Sequence, residues 1–109
     1  MNLSIENIKN TTVITLNEER LDAHNSASLK TEVQKLYEDG TRDLLINLGT
    51  VRFIDSSGLG ALVSGFKNAT ASKGSLKLCS LQPQVKSMFE LTRLHRVFEI
   101  FTTVDEALG

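Results

Sequence analysis

Leu44-Leu45-Ile46-Asn47-Leu48, and after it Phe53-Ile54-Asp55-Ser56-Ser57-Gly58-Leu59-Gly60, are the segments on which the reading of this chain turns. The first is almost continuously apolar, the pattern of a strand covered on both faces. In the second and beyond it, Leu59, Leu62, Val63 and Phe66 recur at i, i+3, i+4 and i+7 and so share one helical face. A buried strand therefore hands over to an amphipathic helix, and two hydroxyls and two glycines stand at the junction. A helix start leaves backbone N–H groups unpaired and carries partial positive charge. Such a place accepts a phosphate, either as a bound ligand or covalently on a serine.

Outward from this junction the chain alternates strand and helix. Leu3 to Ile8 and Thr11 to Leu16 read as strands joined by a tight Lys9-Asn10 turn. Asn25 is a favourable N-cap for a helix that turns Leu29, Val33, Leu36 and Tyr37 inward, and Asp39-Gly40 ends it. The helix after the junction runs from about Ser57 to Lys73 and is closed by Gly74. Leu76 to Leu81 follows as a strand, and Pro83 suits the first turn of a helix carrying Val85, Met88 and Phe89. Val97 to Phe101 reads as a last strand. Thr103-Val104-Asp105-Glu106 is a capping box that opens a short final helix.

The order ββαβαβαβα is that of a single α/β domain spanning residues 1–109. Strands separated by helices are parallel neighbours with right-handed crossovers, while the opening hairpin is antiparallel. A mixed sheet with helices packed on it follows. The junction then lies at the C-terminal end of the strand at 44–48, where open α/β sheets carry their sites.

Composition sets outer bounds on function. Apolar residues make up 40% and charged residues 23% of the 109, values of a globular chain with one core. The net charge of −1, with both signs scattered, offers no basic block for a nucleic acid. Residues 1–6 lack the charged and apolar sequence of a leader, and no run is long enough to span a membrane. A lone Cys79 excludes an internal disulfide, so the cytoplasm is the expected location.

Catalytic motifs do not fit the residues present. A nucleophile elbow needs glycine two residues before its serine, where Ile54 and Asp55 stand instead. Gly58-Leu59-Gly60 begins a dinucleotide fingerprint, yet Val63 occupies the place of the third glycine. Lys73-Gly74-Ser75 has the wrong order for a phosphate loop. His24, His95 and Cys79 have no metal-ligand spacing. The reading is of a protein that is not an enzyme and uses no metal or cofactor.

Asp55-Ser56-Ser57-Gly58-Leu59-Gly60, placed after an apolar strand, resembles the phosphorylatable loop of the STAS-domain anti-sigma factor antagonist family. The likeness extends over nearly the whole chain through element order and length. Glu19-Arg20-Leu21-Asp22 is similar to the family's Gly-Glu-Leu-Asp turn, with Glu18 in the glycine position and Asp22 in register. The resemblance implies that Ser56, the serine directly after the aspartate, is the phosphate acceptor. It also implies partner switching. The unphosphorylated protein would bind an anti-sigma factor that is also a serine kinase and so free the sigma factor. Phosphorylation would end binding, and a serine phosphatase would restore it.

Around Ser56, the residues expected to meet the partner are Asp22, Asp55, Ser57, Gly58, Leu59 and Gly60. Ser57 is read as the helix cap. Two glycines in a first helical turn cost up to about 1 kcal/mol each relative to alanine, and their missing side chains would let a partner approach the backbone. Two other functions fit the same residues. One is a STAS module of another assembly, in lipid transport or signalling without a sigma factor. The other is a small nucleotide- or phosphate-binding domain.

Overall fold

The computed structural model describes residues 1–109. Its elements are β1 (Leu3–Ile8), β2 (Thr11–Leu16), β3 (Arg20–Leu21), α1 (Ser26–Glu38), β4 (Asp43–Asn47), β5 (Phe53–Ile54) and α2 (Ser56–Ala71). They continue with β6 (Ser75–Cys79), α3 (Pro83–Leu91), a 3-10 turn at Leu94–Arg96, β7 (Glu99–Phe101) and α4 (Val104–Leu108). β1 and β2 pair antiparallel around Lys9 and Asn10, whose φ angles are 50° and 65°. Two left-handed residues give a two-residue hairpin the twist of its strands. From β2 onward the pairings are parallel, and the sheet order is β1-β2-β4-β6-β7.

β4 lies at the centre, and its register explains its composition. Leu44 sits beside Thr12 and Leu76, and Ile46 beside Ile14 and Leu78. These side chains face α1 and α2, meeting Leu29 and Val33 from the first and Leu59, Ala61 and Leu62 from the second. Leu45 points the other way, with Val13 and Cys79, and α4 covers them with Val104, Ala107 and Leu108. Thus three successive residues, Leu44, Leu45 and Ile46, are all buried because both faces are covered. Each such side chain contributes about 1.5–3 kcal/mol by leaving water. Phe66 and Phe89 meet Phe98 edge to face at 5.4 and 5.8 Å, sealing the core beneath α3.

The element order matches the sequence reading, with local differences at the ends. α2 stops at Ala71, and the left-handed residue after it is Lys73 (φ 58°), not Gly74. Gly74 is needed for a different reason, since a Cβ there would collide with the Arg42 carbonyl. β6 ends at Cys79 because Ser80 turns left-handed (φ 65°). The last strand begins at Glu99 rather than Val97, because the 3-10 turn occupies the preceding residues. Thr103 does cap α4, its Oγ accepting from the Glu106 N–H at 3.1 Å. Tyr37, buried in α1, donates its hydroxyl to the Ser75 carbonyl at 2.7 Å and ties that helix to β6. No helix is long and apolar enough to cross a membrane.

One feature was not foreseen. β3 and β5, two residues each, form a separate parallel sheet with Arg20 beside Phe53 and Leu21 beside Ile54. Its Leu21 and Ile54 join the main core, and both lie against Gly58 in the first turn of α2.

Candidate functional site

After β4 the chain reaches α2 through a fixed loop and β5. The Asn47 Oδ1 accepts from the Gly49 N–H at 2.9 Å, and Val51 is fully buried. The Arg52 and Phe53 N–H groups both donate to the Glu19 carbonyl, at 2.7 and 3.2 Å, and the Asp55 N–H donates to Leu21 at 3.3 Å. The segment preceding Ser56 is therefore held by backbone bonds to the segment preceding α1.

Asp55 completes the connection and is the N-cap of α2. It has extended backbone (φ −110°, ψ −174°), and its Oδ1 accepts from the Gly58 N–H at 3.0 Å. Its Oδ2 accepts from the Ala23 N–H at 3.2 Å, across 32 residues of sequence. This corrects the assignment of the cap to Ser57. The aspartate reaches the third amide of the helix from the preceding extended position, whereas Ser57 already lies inside the first turn. Ser56 and Ser57 are both exposed at the start of the helix.

The two glycines do different things. Gly58 is buried, and a Cβ there would overlap the Leu21 carbonyl oxygen and stand 2.8 Å from Ile54 Cγ1. It lets β3 lie directly on the first turn of α2, so the expected partner approach does not apply at Gly58. Leu59 is likewise turned into the core, with 6% of its surface exposed, and contributes packing rather than contact surface. Gly60 has nothing within 4 Å of a would-be Cβ and is exposed. Only there does a missing side chain leave open backbone.

Asp22 is nearly buried beside this junction. Its Oδ1 accepts from the His24 N–H at 3.0 Å, and its Oδ2 meets Arg20 Nε at 3.2 Å. The His24 amide, helped by Arg20 and opposed by desolvation, holds the carboxyl below its ordinary value. Asn25 occupies the cap position of α1 without making a cap bond. Its side chain instead accepts from the Asp22 N–H at 2.9 Å and donates to the Arg20 carbonyl at 2.8 Å. Asp22 and Asn25 thus shape the loop that receives Asp55.

Two residues to which the sequence reading gave no role of their own join the site. Arg20 lies over the Phe53 ring at 4.1 Å, and that ring is 42% exposed. A two-residue strand is too short for alternation to reveal which side chain points out, so Phe53 could not be told from core in the sequence. Beside it a groove of about 430 Å³ runs from Arg52 and Phe53 past Ile54, Asp55 and Ser56 to Gln84 and Met88 of α3. On the opposite flank, Ser57 and Gly60 line a depression of about 360 Å³ with Ser26, Ala27 and Lys30 of α1. The two serines therefore serve different surfaces. A depression of similar size, about 440 Å³, lies away from the junction between Met1, Leu3 and the first turns of α1.

The remaining reactive residues are dispersed. His24 belongs to the β3–α1 loop, and His95 is in the 3-10 turn with Nδ1 3.2 Å from the Phe89 carbonyl. Cys79 is buried in β6, and burial pushes its thiol up. What the junction offers is an exposed hydroxyl on a helix start hydrogen-bonded to the β3–α1 loop, flanked by an exposed aromatic ring and a groove.

The family model described as "STAS domain" matches residues 2–107. The anti-sigma-B factor antagonist of Staphylococcus aureus is 30% identical over 80 residues, covering 73% of this chain and 74% of the relative. An anti-sigma-factor antagonist (STAS) domain protein of Planctomyces limnophilus superposes with a TM-score of 0.89 at 25% identity, over 97% of this chain and 94% of that one. The Bacillus cell-fate determinant SpoIIAA in its phosphorylated form has the same fold, with a TM-score of 0.75 at 23% identity, over 98% and 96%.

Proposed function

The chain belongs to the STAS domain family, with anti-sigma factor antagonists among its relatives, and from that premise we propose that it acts by partner switching on Ser56. The observation that carries the reading is the placement of Ser56. It is exposed, directly follows the N-cap Asp55, and opens a helix whose start is fastened to the β3–α1 loop. A rigid loop presents the hydroxyl in one geometry to an incoming kinase.

In the unphosphorylated state the surface around Ser56, Ser57 and Gly60, with Phe53 beside it, binds an anti-sigma factor that is also a serine kinase. The sigma factor is thereby released. The kinase then transfers the γ-phosphoryl group of ATP to Ser56 Oγ. The new O–P bond replaces the bond to ADP, and the hydroxyl proton passes to a base of the kinase. A serine phosphatase reverses the modification by hydrolysis. These events take place in the cytoplasm, and the chemistry belongs to the partners.

The phosphate brings about −1.5 to −2 charges at pH 7, next to Asp55 and with Asp22 nearby. The helix N-terminus tolerates that charge, favouring it by about 0.3–2 kcal/mol. An interface fitted to a neutral hydroxyl does not, because an unpaired charge buried there costs several kcal/mol. Modification therefore alters association more than folding. Phosphopeptide mapping of the chain isolated from its native cells tests the acceptor. The phosphate is expected on Ser56 and lost in Ser56→Ala, with Ser57→Ala keeping it. A phosphate on Ser57, or none in this loop, would sink the assignment.

A further inference from the structure

Ser56 and Arg52 line the same groove, together with Phe53, Ile54, Gln84 and Met88, and Asp55 completes the wall. Arg52 is the one cation among these residues and Asp55 the one anion. Asp55 is fully committed, with one carboxylate oxygen on Gly58 N–H and the other on Ala23 N–H. Arg20, the other arginine of the site, is held by Asp22 at 3.2 Å and rests on Phe53. Arg52 differs from it. Its backbone N–H is fixed to the Glu19 carbonyl at 2.7 Å, while its side chain is exposed and the fold's ion pair goes to Arg20 instead.

We propose that Arg52 receives the phosphate of phosphorylated Ser56 and, in closing on it, covers the apolar groove beside the serine. The inference rests on Ser56 being the acceptor. A guanidinium matches a phosphate with two parallel charge-assisted hydrogen bonds, and its apolar stem lies readily along an apolar wall. Here that wall is Phe53, Ile54 and Met88. Phosphorylation then does more than add negative charge. It withdraws a cation from the partner-facing surface and fills the groove that a partner side chain would enter. A carboxylate in place of the phosphate lacks the tetrahedral dianion needed to hold the arginine there.

The test uses the full chain with phosphoserine incorporated genetically at position 56, so no kinase is needed. Its second phosphate ionisation is followed by phosphorus NMR against pH. A neighbouring cation favours the dianion and lowers that pKa below the usual value of about 6. Arg52→Gln is expected to raise it by roughly half a unit to one unit relative to the phosphorylated parent. Arg52→Lys should recover part of the difference, and Arg20→Gln should leave the value nearly unchanged. Asp55, Asp22 and His24 are common to all these chains, and so is the helix N-terminus. Equal pKa values with and without Arg52, or a larger shift from Arg20→Gln, would overturn the proposal. Nitrogen-resolved NMR gives a second reading, in which the Arg52 Nε–H resonance shifts on phosphorylation and stays put in Ser56→Asp. Whether a cellular kinase uses Ser56 is decided separately by phosphopeptide mapping, so failure of one reading does not mimic failure of the other.

Discussion

Replacing Gly58 and Gly60 by alanine, one at a time, should give opposite results in adjacent turns of the same helix. Either substitution gains up to about 1 kcal/mol of helix propensity. At Gly60 the new methyl meets no heavy atom within 4 Å, so the gain is realised. Taking about 4 °C per kcal/mol for a chain of this length, Gly60→Ala should melt roughly 2–4 °C above the parent. At Gly58 the methyl overlaps the Leu21 carbonyl and lies 2.8 Å from Ile54 Cγ1. A backbone carbonyl cannot swing aside as a side chain can. Moving it strains the 3.3 Å bond from Asp55 N–H and the pairing of Leu21 with Ile54. Overpacking costs about 1–3 kcal/mol, and a weakened backbone hydrogen bond about 0.5–1.5 kcal/mol. Less the propensity gain, Gly58→Ala should lose roughly 0.5–3.5 kcal/mol and melt about 2–14 °C lower. Thermal melts followed by circular dichroism, with urea titrations as a check, measure both. A Gly58→Ala protein as stable as the parent would refute the close seating of β3 on α2. Stability aside, Gly60→Ala should bind the proposed kinase partner more weakly, since its methyl stands on open surface.

Asp55→Ala removes the N-cap of α2 and should cost about 0.5–2 kcal/mol in urea denaturation, whereas Ser57→Ala should stay within about 0.5 kcal/mol of the parent. The reverse order would restore Ser57 as the cap. Ser56→Asp should keep a melting transition close to wild type and lose about 100-fold in affinity for the kinase partner by titration calorimetry, the equivalent of roughly 3 kcal/mol. Wild-type affinity would exclude charge at this position as the switch. Asp22 contributes to stability in its ionised form, because the folded carboxyl is held below its unfolded value of 3.8. That contribution is complete above the unfolded value and is lost as pH falls through it toward the lower folded one. The stability gap between the parent and Asp22→Asn should therefore be constant near neutrality and shrink below about pH 4. A gap independent of pH would show that Asp22 acts by shape alone.

The main sheet was legible because its signals repeat. Leu44 to Ile46 had to be covered on both faces, and the i, i+3, i+4, i+7 spacing of Leu59 to Phe66 had to be helical. Pro83 and the Thr103 capping box placed the starts of the last two helices. The helix start at Asp55 to Gly60 followed from the same pattern. Its internal division of labour did not. Asp55 caps in preference to Ser57, and Gly58 serves packing while Gly60 serves openness, because of contacts with Leu21 and Ala23 more than thirty residues away. No local periodicity reports such contacts. β3 and β5 escaped notice since two residues carry no repeat, and with them the outward placement of Phe53 and Arg20.

The small β3–β5 sheet has a consequence for how this protein could diverge. Leu21 and Ile54 anchor the small sheet in the main core, while their neighbours Arg20 and Phe53 are exposed on strands that pair only with each other. Substitutions at these two positions change what the loop shows to the outside and leave the large core untouched. A duplicated copy could thus acquire a different partner by exchanging a few surface residues, while keeping its frame and its exposed Ser56. Paralogues in one cell would then stay insulated from each other's partners through side chains that lie outside the core.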